Sequence, residues 1–131
     1  MQKYGQFHDG FFEGFWIDGS RVHIYLSTSR KERFTALAEG VAALSAEGFR
    51  AGNIIFDVVT RDHDEITAED ICSLYDVAEG SVGEKQRLQL LDRARKESFV
   101  LLGISPSYGA GCLVLARSIT FVRKPPQATD N

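Results

Sequence analysis

The chain has 131 residues and a mass of 14.5 kDa, the size of one folded domain rather than two. With 44% hydrophobic and 25% charged residues it is not a disordered composition, and no apolar run reaches the ~20 residues of a membrane-spanning helix. A net charge of −3 gives no general attraction to phosphate backbones, so neither nucleic acid nor a membrane is an expected partner.

Residues 11–17 and 21–28 read as two strands joined at Asp18-Gly19, a hairpin signal because both residues tolerate positive φ. A turn centred on that pair sets Phe15 opposite Val22 and Trp16 opposite Arg21, close enough for a cation–π contact. One side of the ribbon then carries Phe11, Phe15, Val22, Ile24 and Leu26. The other carries Phe12, Trp16, Arg21, His23 and Tyr25.

After the polar loop Ser29-Arg30-Lys31-Glu32, residues 33–38 have strand character. The segment 35–47 stays open between strand and helix, because Leu37, Val41 and Leu44 also fit one helical stripe. Gly52-Asn53 marks a turn, and the β-branched run Ile54-Ile55-Phe56-Asp57-Val58-Val59 is a central strand.

Thr67 with Asp70 three residues later forms a helix start, and Ile66 can staple to Ile71. This predicts a helix over about 67–78, a break over 80–83, and a second helix over about 84–97. Residues 99–104 return to strand. Residues 112–122 form a long last strand, with Leu113, Leu115, Ile119 and Phe121 on one face and Arg117 interrupting it. The whole is an α+β domain over 1–124, a mainly antiparallel sheet opened by a hairpin and packed by two helices, with a flexible tail over 125–131.

Several constellations bear on chemistry. His8-Asp9 offers an imidazole and a carboxylate side by side, a pair able to share a divalent metal if the backbone turns there. The plainer reading makes Asp9-Gly10 a turn, with His8 bonded to nearby backbone. Asp62-His63-Asp64-Glu65 also resembles a ligand set, so His63 joins the candidates, yet acidic residues are favoured ahead of a helix by its dipole alone. Trp16, His23 and Tyr25 make an aromatic patch with one titratable group, suited to a ligand or partner and equally to cover by the two helices, which is the reading favoured here. Arg117 on an apolar strand face calls for a carboxylate partner such as Glu13 or Asp57, or else for an interface. Gly109-Ala110-Gly111 precedes a strand rather than a helix and reads as a turn, not a phosphate cradle. Cys72 and Cys112 lie on different elements and read as small hydrophobes in a reducing cytoplasm, and Met1 to Gln6 has no signal-peptide run, so the expected location is cytoplasmic.

Taken together, His8-Asp9-Gly10, Asp18-Gly19, Gly52-Asn53-Ile54-Ile55 and Pro106-Ser107-Tyr108-Gly109-Ala110 ahead of Cys112-Leu113-Val114 resemble a group of small bacterial proteins of the His-Asp-Gly type, whose function is unknown. The short His-Asp segment leading into a β-rich domain is loosely similar to immunity proteins of bacterial toxin systems, and implies a toxin-binding role without any motif residues. No catalytic triad, nucleophile elbow, HExxH or P-loop is present. Two readings follow. The first is a non-enzymatic binding domain that needs no cofactor and engages a protein partner or a second copy of itself as a homodimer. The second is a metal-dependent enzyme built on His8 and Asp9.

Overall fold

A computed structural model describes residues 1–125; residues 126–131, most of the expected tail, lie outside the described part. Nine strands occupy Gln2–Lys3 (β1), Phe11–Asp18 (β2), Arg21–Ser27 (β3), Arg33–Glu39 (β4), Ala43–Glu47 (β5), Ile54–Arg61 (β6), Val100–Tyr108 (β7), Gly111–Ala116 (β8) and Ser118–Arg123 (β9). Two helices, Ala68–Tyr75 (α1) and Ser81–Lys96 (α2), are inserted between β6 and β7. The domain is α+β, and all its strand pairings are antiparallel.

The sheet order β5-β8-β7-β6-β2-β3-β4-β9 closes on itself, because its two ends are covalent continuations of interior strands. β4 runs on into β5 and β8 runs on into β9. Their antiparallel ladder is continuous from Phe34↔Arg123 to Glu47↔Gly111. Across the join, the Ala42 amide donates to the Leu115 carbonyl at 2.8 Å and the Arg117 amide to the Glu39 carbonyl at 3.0 Å. At the far seam β2 meets β6 at Phe11↔Ile54, supported by Phe12 N–H to Asn53 O at 3.0 Å and Ile55 N–H to Gly10 O at 2.9 Å. The result is a barrel, which leaves few strand edges open.

Alternation fills the barrel. Val22, Ile24 and Leu26 of β3, Ala36 and Ala38 of β4, Leu102 and Ile104 of β7, and Cys112 and Val114 of β8 all point inward and are buried. Phe7, carried by a single 3-10 turn before β2, enters the same core and packs edge-on to Phe34. Burying a side chain of that size stabilises by about 1.5–3 kcal/mol, which anchors the N-terminal segment to the barrel. A second core lies outside, where Ile66, Ile71, Leu74, Leu91 and Ala94 pack on Leu101 and Leu115.

Three sequence expectations change, and one point left open by the sequence is resolved. The hairpin pairs Asp18 with Arg21, one residue beyond the turn expected, so Trp16 faces His23 and Phe15 faces Ile24. A bulge at Glu13 then swings Phe12 into the core opposite Leu26. Segment 35–47 is strand on both sides of a bend, because pairing with β8 and β9 offers it a complete ladder. The final strand is broken at Arg117: Leu113 and Leu115 face outward under the helices, while Ile119 and Phe121 face the interior.

The helices keep their expected signals. Thr67 and Asp70 form a reciprocal capping box, and Asp70 also takes two hydrogen bonds from Arg61 Nη1 at 3.0 and 3.1 Å. α1 ends at Asp76, which is left-handed at φ 49°, short of residue 78. α2 starts earlier than expected, at Ser81, and Gly83 sits inside it rather than breaking it. A Cβ at Gly83 would collide with the Ala78 carbonyl, so glycine there permits close backbone approach.

Gly10 has the same role at the barrel seam, where a Cβ would collide with the Ser27 carbonyl oxygen. Gly10→Ala is therefore expected to lower stability by more than ~2 kcal/mol, whereas Gly5→Ala, which meets open space, stays within ~0.5 kcal/mol. Urea midpoints of the two variants check this.

Candidate functional site

Because both helices pack on the β5-β8-β7 side, the outer face of β2-β3-β4-β9 is left uncovered. Pairing sets out its rows: Trp16, His23, Leu37 and Thr120 in one, and Gly14, Tyr25, Thr35 and Val122 in the next. Trp16 is 55% exposed and stacks on His23, ring centroids 5.1 Å apart at 28°. Lys124 Nζ stands 4.6 Å over the Tyr25 ring, and Arg21 pairs with Glu39 at 3.6 Å along the border. Ile17, beside Trp16, is likewise exposed. The expected covering by helices is thus not found here. The stacked pair instead presents an aromatic surface to solvent, and three of the four candidate surface residues lie together on it.

Arg117 lies apart from them. Its amide bonds to the bend of β4, and its side chain reaches Glu97 Oε1 at 3.2 Å and passes over the Phe99 ring at 5.3 Å. The expected partners Glu13 and Asp57 play no part, because the break between β8 and β9 turns Arg117 outward toward the end of α2, 59% exposed. Glu97 bridges Arg117 and Arg93, and the Arg93 hydrogen bond, more than the charge of Arg117, holds its carboxyl below the usual glutamate range. A depressed carboxylate contributes stability above its unfolded pKa and loses it as pH falls through the folded value. Thermal unfolding scanned downward from pH 6 is therefore expected to fall less steeply in Glu97→Gln than in the wild type.

His8 and Asp9 occupy a solvent-facing corner. Asp9 takes a left-handed backbone at φ 62°, so the two side chains do fall on one side, with His8 Nε2 3.6 Å from Asp9 Oδ2. The His8 Nδ1–H donates to the Phe56 carbonyl at 2.8 Å, which leaves Nε2 on the side of Asp9. His63 does not complete a set with them. Among the described residues the grouped potential ligands are Asp62, Asp64 and Glu65, in the turn before α1, and Glu65 is engaged by the Met1 amine and the Asp62 amide. Two exposed donors fall short of the three or four a zinc site takes.

The thiols differ in environment. Cys112 faces the barrel interior, and burial pushes its pKa up to about 12; Cys72 is half-buried and contacts Arg87 Nη1 at 3.4 Å. A thiol-specific reagent at pH 8 is expected to modify Cys72 in the native protein and to reach Cys112 only after denaturation, as mass spectrometry of the labelled chain can establish.

No family model, characterised protein or solved structure matches the chain. Among the described residues no helix is long and apolar enough to cross a membrane.

Proposed function

We propose that this protein is a non-enzymatic binding module that engages a protein partner through the outer face of β2-β3-β4-β9. The observation that carries this reading is Trp16, more than half exposed and stacked on His23. Tryptophan is the residue type most enriched at interface hot spots, where a large rigid ring is buried without much loss of side-chain entropy. The surface is a sheet face, and the three principal cavities of the molecule do not include Trp16, His23 or Tyr25 in their walls. Flatness favours another macromolecule over a small ligand, which needs concavity. His8 and Asp9 do not favour a metal enzyme in the same way, since nothing on the described chain adds a third ligand to them.

Site-specific photocrosslinking in the producing cell tests this. A photoreactive residue in place of Trp16 should give one discrete adduct, whereas the same residue at the exposed Val82 of α2 should give none. An adduct at twice the chain mass identifies the partner as a second copy. No adduct from either position, or the same diffuse pattern from both, overturns the proposal. Trp16→Ala is expected to weaken the interaction at least tenfold while shifting stability by less than ~1 kcal/mol, because the ring is only partly buried.

A further inference from the structure

We infer a second, separate site: a cavity that binds the phosphoryl group of a small phosphate monoester. It has a volume of about 580 Å³ and opens where the start of β2, the β3–β4 loop and the β5–β6 loop meet. That volume lies within the range of small-molecule pockets. Lys31, Arg33 and Arg50 stand around it, and Glu13 is the one carboxylate in the lining. In a chain of net charge −3 this is a local reversal of sign. None of the three cations has an ion-pair partner among the described residues, although the N-terminal amine and six other Lys or Arg side chains do. Arg50 gives one N–H to the Phe49 carbonyl at 3.3 Å and keeps its remaining donors.

A buried, unpaired polar group lies in the wall at the same place. Ser27 belongs to the cavity lining, is 1% exposed, and its Oγ is the buried side-chain polar atom that has no hydrogen-bond partner among the described residues. A buried hydroxyl left unpaired costs about 1–3 kcal/mol, so Ser27 Oγ, closed off from the open cavity, gains from a small shift of the wall that gives it a partner there.

The surrounding structure is built to hold this geometry. Asn53 is buried and ties the β5–β6 loop together: its Oδ1 accepts from the Arg50 amide at 2.7 Å and the Ala110 amide at 3.0 Å, and its Nδ2 donates to the Arg50 carbonyl at 2.8 Å. This fixes the backbone from which Arg50 projects. Lys31 is likewise set by a left-handed backbone at φ 63° within a closed turn.

Three cations against one carboxylate leave two positive charges, which match the −1.5 to −2 of a phosphate monoester near pH 7 better than the single charge of a carboxylate. Arginine adds directional donors suited to phosphoryl oxygens. Phe11, partly exposed in the wall, offers an apolar surface for the organic group of an ester. An outer groove of similar volume, about 560 Å³, beside α1 lacks this character, since its one cation, Arg61, is already neutralised by Asp70.

The test is calorimetric titration of the full chain with inorganic phosphate, phenyl phosphate and benzoate at low ionic strength. Phenyl phosphate should bind one to one, about tenfold tighter than inorganic phosphate, and weaken as salt rises. Arg50→Gln and Arg33→Gln should each weaken it about tenfold with unchanged unfolding temperature, because both side chains are exposed. Ser27→Ala should also weaken binding while leaving the free protein as stable as the wild type or more so. Failure of phenyl phosphate to saturate at millimolar concentration overturns the site. So does binding that is indifferent to Arg50→Gln and Ser27→Ala, and equal affinity for benzoate overturns the phosphoryl assignment.

Discussion

The continuous ladder between β4–β5 and β8–β9 is the constraint on which the rest of the molecule depends. Without it the strands would form an open sheet, with two long edges and one face too many to cover. The ladder survives a bend because β4–β5 has three residues (40–42) at the join against two (116–117) on β8–β9, and Arg117 donates its amide to both Glu39 and Gly40 carbonyls, at 3.0 and 3.2 Å. Gly40, at φ +62°, makes room there for the Arg117 stem, with which any Cβ would clash. The bend also changes parity. Residues 113 and 115 face outward and residues 119 and 121 inward, so one strand serves two cores.

That change of parity decides where the helices go. They need an apolar surface, and the outward Leu113 and Leu115, with Leu101 of the neighbouring strand, provide one on the β7–β8 side. The opposite wall has only Leu37 and Val122 as aliphatic side chains, in separate rows among aromatic and polar ones. It keeps Trp16, His23, Tyr25 and Thr120 instead, and remains bare. The exposed aromatic face is thus a consequence of barrel closure rather than of hairpin composition alone. The anion-binding cavity has a related origin, since closure at Phe11↔Ile54 brings the β5–β6 loop against the start of β2 and sets Arg50 close to Lys31 and Arg33.

Much of the fold was legible because its signals are local. The capping box at Thr67 and Asp70, the staple of Ile66 on Ile71, the β-branched run from Ile54 and the alternation of Val22, Ile24 and Leu26 each depend on residues within a few positions of one another. The patch of Trp16, His23 and Tyr25 was visible for the same reason, since alternation puts them on one side of a ribbon. The cation cluster was not. Lys31, Arg33 and Arg50 have no common spacing, and the orphan hydroxyl of Ser27 has no sequence signature. Leu37, Val41 and Leu44 suggested a helical stripe because a bent strand reproduces that spacing by coincidence.

What the sequence by itself determined is therefore the class of the fold, the identity of most elements and the apolar residues that must be buried somewhere. Each follows from propensity, capping or periodicity, which act over one or two turns of chain. Only the tertiary structure decided which side of each strand became the interior. Bulges at Glu13 and Arg117 reverse the alternation at a single residue, and their positions are set by distant partners. The same non-local pairing moved Arg117 away from Glu13 and Asp57 to Glu97, left Trp16 in solvent, and gathered three unpaired cations around a buried hydroxyl.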